Sequence, residues 1–179
     1  MEVMLDLETL STRGHASILV IAAMKFDRNT NISKPHAQIS QNQFYAKISI
    51  DSCEKVDMHI DPKTVAWWDK QDSQIRNEAF GEPREDLKSV LVNFSKWYGN
   101  SKTIWSHGAT FDIPILTEAY IRCGLEPPWK FWTCRDTRTL FDIANIKQED
   151  MPNENLHNAL YDCWRQICGV QESFRRIKN

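Results

Sequence analysis

At 179 residues, 41% of them hydrophobic and 26% charged, the chain has the size and composition of one globular domain, 1–179. Lys and Arg number 22 against 24 Asp and Glu, which excludes a basic footprint for broad binding to a polyanion. No apolar run approaches the roughly 20 residues of a membrane span, and Met1-Glu2-Val3-Met4 lacks the basic and apolar regions of a signal peptide, so a cytoplasmic location with no membrane is expected.

Val3 to Leu7 reads as a first strand. It carries Asp6, with Glu8 two positions on, and side chains two apart on a strand share a face. Two acids side by side at the end of an apolar strand repel each other and resist desolvation unless a cation lies between them. The alternative is an edge strand with two solvated acids. After the polar break Ser11 to His15, the β-branched run Ser17 to Asp27 reads as a second strand. Phe44 to Ile50 alternates as a third, and short turns between the three predict an antiparallel meander.

Helical signals follow. Asp61-Pro62 is a start signal, Asp at N-cap and Pro at N1. Asp72-Ser73 opens a second helix that Gly81 stops. From Pro83 a longer amphipathic helix is expected, with Leu87, Val90, Leu91, Phe94 and Trp97 at helical spacing up to Gly99. Thr103 to His107 is a short fourth strand, followed by a helix from Phe111 to about Cys123. Trp129 to Cys134 reads as a fifth strand. Asp136-Thr137 caps a helix through Ile143, and the last helix runs from Ala159 to about Arg176. Three strands and then alternating strand and helix predict an α/β domain: a mixed five-stranded sheet flanked by helices. No glycine-rich phosphate loop follows any strand. The five cysteines form no CxxC pair, which predicts reduced thiols rather than a structural zinc site.

Further acids and a histidine lie at element boundaries. Asp112 begins the helix after the fourth strand, where ligands gather at the carboxyl ends of sheet strands; a first-turn acid complementing the helix dipole is the alternative. His157 and Asp162 form an H-x4-D pair at the start of the last helix. Both meet one site only if His157 precedes the helix and reaches over its end.

Together, Asp6-Leu7-Glu8-Thr9, His107 to Asp112 and His157 to Asp162 resemble, in order, the three motifs of the ribonuclease-H-like 3′–5′ exonucleases of the DEDDh group. Asp61 to Trp68, and Phe131-Trp132 with Arg135-Asp136-Thr137-Arg138-Thr139, are similar to the small bacterial and phage branch related to ribonuclease T. Many members of that branch carry Asn where this chain has His107. The resemblance implies a ribonuclease-H-like sheet, three antiparallel strands followed by parallel additions. It also implies a metal-dependent 3′–5′ exonuclease that releases nucleoside monophosphates from single-stranded 3′ ends or overhangs of RNA or DNA.

In that reading Asp6, Glu8, Asp112 and Asp162 hold two divalent ions, Mg²⁺ or in its place Mn²⁺, which prefer oxygen ligands. His157 is the general base that takes a proton from the attacking water. Thr9, Leu10, Trp68, His107, Phe111 and Arg135 are the expected substrate contacts, and a homodimer is the expected assembly. Of Trp67 and Trp68, adjacent on one helix, one is expected in the core and the other as a stacking platform. An endonuclease on the same fold and a nucleic-acid-binding module without catalysis are the competing readings.

Overall fold

Alternation along the first strand decides what lies on each side of the sheet. In the computed structural model, which describes residues 1–35, 40–153 and 158–178, β1 spans Glu2–Thr9. Val3, Leu5 and Leu7 point into one apolar cluster, and Met4, between them, points into the other. Asp6 and Glu8 continue the Met4 face. β1 is the middle of a five-stranded sheet ordered β3-β2-β1-β4-β5. The antiparallel part is β2 (Ile18–Phe26) and β3 (Gln43–Lys47). The parallel part is β4 (Ile104–Ser106) and β5 (Cys134–Asp136). The mixed sheet expected from the sequence is present, with the meander on one side of β1 and the parallel additions on the other.

Helices cover both faces. α4 (Leu87–Tyr98) and α5 (Asp112–Arg122) bury Val90, Leu91, Phe94, Ile115 and Leu116 against the Val3–Leu5–Leu7 face. On the Met4 face lies α7 (Ala159–Lys178), which packs on β1, β2 and α6 (Thr137–Ile143). Its buried residues Ala159, Cys163, Ile167 and Val170 recur every three or four positions, the stripe of an amphipathic helix. Gly169 sits in that contact, where an added Cβ would come within 2.5 Å of the Phe141 ring and 2.8 Å of the Met151 sulfur. Only glycine lets α6 and α7 approach so closely.

The capping signals hold. Asp61 accepts from Lys63 N at the start of α2 (Pro62–Trp68), and Asp72 from Gln74 N at the start of α3 (Ser73–Phe80). Three boundaries differ. The third strand ends at Lys47, and Ile50 already belongs to the short α1 (Ile50–Glu54). Glu85 draws the chain away there: Ile48 bridges to it, and Ser49 N–H donates to its carbonyl. That same pairing keeps Pro83 to Glu85 extended, so α4 begins only where Asp86 caps Ser89 N, not at Pro83. The run Trp129 to Cys134 is mostly a 3₁₀ turn (Phe131–Thr133), and the fifth strand is Cys134–Asp136. Trp129 leaves the strand plane to pack on Phe94, Tyr98 and Tyr120.

All five cysteines are free thiols. Among the described residues, no helix is long and apolar enough to cross a membrane.

Candidate active site

β4 is shorter than β1, and the site is built in the space this leaves. The parallel ladder pairs only Val3 and Met4 of β1 with β4, so the N–H of Leu7 has no strand partner on that side. A backbone donor buried in this way needs an acceptor. Asp112 supplies it: its Oδ1 accepts from Leu7 N at 3.0 Å. The acid is the first residue of α5 and is buried, so it complements the helix N-terminus and also stands against the acidic strand.

The third acid cluster member comes from α7. Asn158 precedes the helix, and its side chain accepts from Tyr161 N at 3.3 Å, which starts the helix with Asp162 in its first turn. Single oxygens from Asp6, Glu8 and Asp162 lie within 4.8 Å of one another. One helical turn after Asp162, Gln166 donates from Nε2 to Asp6 Oδ1 at 2.9 Å.

The electrostatics of this cluster are unfavourable as it stands. Burial, then the charges of Asp112, Glu8 and Asp162, push the Asp6 carboxyl well above its ordinary range despite the Gln166 hydrogen bond. Burial, followed by Asp162 and Asp112, raises Glu8 to about 8. Burial raises Asp112 to about 7, against the hydrogen bond from Leu7 N and the nearby Arg138 charge. Carboxyls held this far above their ordinary values gain from a positive charge placed among them.

These residues line a cleft of about 430 Å³ together with His107, Phe111, Arg138, Gln148, Arg165 and Gln166. His107 is shaped by its neighbours. Its Nδ1 is 2.8 Å from Thr137 Oγ1, whose own proton goes to Ser106 O, so Nδ1 is the donor and Nε2 the ring's acceptor. Burial and then the Arg138 charge lower its pKa, which favours the neutral ring. Gly108 makes the turn from β4 to α5 at a φ of 134° and donates its N–H to Asp136 Oδ1 at 3.1 Å. Among the described residues, no ion pair joins Arg138 or Arg165 to Asp6, Glu8 or Asp112.

The structure sorts the residues expected from the sequence. It brings Asp6, Glu8, Asp112 and Asp162 together, with His107 and Phe111 on the same cleft. His157 lies outside the described residues. Trp68 is a correction: it is buried, and its indole N–H donates to Thr9 O at 2.9 Å, so it props the end of β1. The exposed ring is that of Trp67. Leu10 is buried in the core and Thr9 turns its hydroxyl to Ser11 O; neither presents its side chain to the cleft. Arg135 lies elsewhere too, its guanidinium held by Trp132 O and Cys134 O, beside a second cleft of about 530 Å³ lined by Ile113, Pro114, Trp129 and Phe131. Among the described residues, that cleft has no comparable acid cluster, since Asp136 caps α6 and Glu118 pairs with Arg122 at 2.8 Å.

Sequence reasoning missed Arg138, Arg165 and Gln166. For the last two a signal existed, because positions three and four after Asp162 share its helical face. Arg138 lay within the Arg135 to Thr139 stretch, but its side chain could not be placed, since the position of α6 depends on where β5 begins.

Comparison with known proteins bears on the chain as a whole. A family model described as the 3′-5′ exoribonuclease Rv2179c-like domain matches residues 1–174. A phage T4 protein named exodeoxyribonuclease is 22% identical over 202 aligned residues, covering 96% of this chain and 88% of the phage protein. Among solved structures, exonuclease X in complex with 5′ overhanging duplex DNA has a similar fold. The TM-score is 0.57 at 17% identity, over 98% of this chain and 92% of the other.

Proposed function

Since the chain belongs to the 3′-5′ exoribonuclease Rv2179c-like domain family and is therefore a 3′–5′ exonuclease, we propose that it is a DEDDh enzyme of the branch related to ribonuclease T, hydrolysing single-stranded 3′ ends or overhangs of RNA and DNA. The observation that carries this reading is the cluster of Asp6, Glu8 and Asp162 oxygens within 4.8 Å of one another, with Asp112 hydrogen-bonded to the same strand.

The donor set fits a hard divalent cation. All four acids offer oxygen, the preference of Mg²⁺ and Mn²⁺, and a cation offsets the repulsion that raises Asp6, Glu8 and Asp112. Two such ions, when bound, supply an activated water, charge neutralisation at the phosphoryl oxygens and stabilisation of the departing 3′-oxygen. Asp6, Glu8, Asp112 and Asp162 would hold these ions, Asp6 in common, Glu8 and Asp162 toward the attacking water and Asp112 toward the departing oxygen. His157 is the general base, accepting the water's proton. Arg138 and Arg165 line the cleft and hold substrate phosphates by charge-assisted hydrogen bonds. Phe111 packs against the terminal sugar or base. Trp67, exposed at the end of α2, is the stacking surface, where a ring is worth about 1–3 kcal/mol per base. The enzyme acts as a homodimer, which sedimentation of the purified chain tests.

The experiment is digestion of matched 5′-labelled RNA and DNA, single-stranded and with recessed or overhanging 3′ ends, in Mg²⁺ or Mn²⁺. A ladder shortening from the 3′ end is expected, and His157→Ala lowers turnover by roughly 10²–10⁴. Internal fragments would identify an endonuclease. Binding with no cleavage in either metal would identify a silent module.

A further inference from the structure

Gln166 occupies a position on α7 where an apolar residue belongs. It faces the sheet in the stripe of Cys163, Ile167 and Val170 and is 7% exposed. Its Nε2 donates to Asp6 Oδ1 at 2.9 Å, while its Oε1 is buried with no hydrogen-bond partner. A buried amide oxygen left without a donor costs free energy, and in a polar cleft such an atom marks a missing partner. The amide nitrogen faces Asp6 Oδ1, which leaves Oε1 as the atom without a donor. Gln166 also lines the cleft that holds Glu8, Asp112 and Asp162, so the side chain that carries the unpartnered oxygen is part of the acid cluster's wall.

We infer that Gln166 is a positioning residue of the metal site: its amide N–H fixes Oδ1 of Asp6, and its unpartnered Oε1 would accept a hydrogen bond when a hydrated divalent ion fills the cleft. The inference rests on the reading of the acids as a cation site. Its physical content is preorganisation. With Oδ1 held by the amide, the Asp6 carboxyl is fixed beside Glu8 and Asp162 without a search among rotamers. Residues that orient a metal ligand in this way are worth 10- to 100-fold in metal affinity or activity.

The test uses the full chain with Gln166→Leu, near in volume but unable to bond, and Gln166→Met as a second unbranched variant. Mn²⁺ alone is titrated calorimetrically, melting is followed without metal, and oligonucleotide cleavage is measured against Mn²⁺ concentration. Expected is a 10- to 100-fold weaker Mn²⁺ dissociation constant with little change in metal-free melting. The Mn²⁺ concentration for half-maximal turnover rises in parallel, and KM for the oligonucleotide is unchanged. Wild-type Mn²⁺ affinity in both variants overturns the inference, as does a fall in metal-free melting with affinity unchanged. Failure of both variants to fold also overturns it, making Gln166 structural. If the wild-type chain binds Mn²⁺ and both variants bind it equally well, the inference falls and the nuclease reading survives. If the wild-type chain binds none, both fall.

Discussion

At Glu8 and Asp112 burial works against ionisation, and the direction of that effect sets how the protein responds to pH. Free carboxyls titrate near pH 4, whereas in the fold these two sit at about 8 and about 7, with Asp6 raised as well. Between those limits the folded chain holds protons that the unfolded chain has released, so stability falls as pH rises. In the metal-free protein the stability contributed by the protonated acids is fully present below about pH 4 and is lost as pH rises through about 7 to 8. The melting temperature in chelator should therefore decline from pH 5 to pH 8, and Mn²⁺ should reverse the decline most strongly at pH 8, because metal binds only the folded form. A flat profile would mean the acids are solvated. Trp67 and Trp68 give a second contrast. Trp68→Ala removes a buried ring that also bonds Thr9 O, and should cost about 3–5 kcal/mol in urea unfolding. Trp67→Ala, on the half-exposed neighbour packed edge-on against Trp68, should cost less, about 0.5–1.5 kcal/mol.

Among the elements, α7 carries the largest share of the arrangement. It delivers Asp162 and Gln166 to the face of Asp6, and its approach depends on Gly169 lying against the Phe141 ring. Phe141 in turn packs beside His107, ring centroids 5.8 Å apart. Gly169→Val should force that contact open, costing about 1–3 kcal/mol by overpacking. Chemical unfolding measures the cost, and loss of Mn²⁺ affinity shows that the acids have moved apart. The same elements show what was legible from the chain. Alternation and caps revealed β1, β2, α2, α3, α5 and α6, because those signals are local. The start of α4, the end of β3 and the fifth strand were misplaced because Glu85 and Trp129 answer to distant partners. The acid motifs were readable by type and order. That Asp112 reaches the strand through the Leu7 amide, or that Trp68 faces inward, was not: both depend on how far β4 runs and how α2 docks.

For the molecule as a whole, the sheet order puts β1 at the centre, with β2 antiparallel on one side and β4 parallel on the other. Asp6 and Glu8 are thereby mounted on the most constrained backbone of the fold, as a site of exact geometry requires. The remaining acids arrive on helices from opposite faces, Asp112 from α5 and Asp162 from α7. Substrate attraction at this near-neutral chain, net charge −2, then falls to the cleft's own cations and any bound metal rather than to a general surface field.

The bond from Gln166 to Asp6 joins positions 160 apart, so the cage closes only after the terminal helix docks. During synthesis, when the amino-terminal portion emerges first, the chain exposes its strand acids long before their counterparts exist. An assembly made in this order cannot gather its carboxylates until α7 has been synthesised and has docked on the sheet.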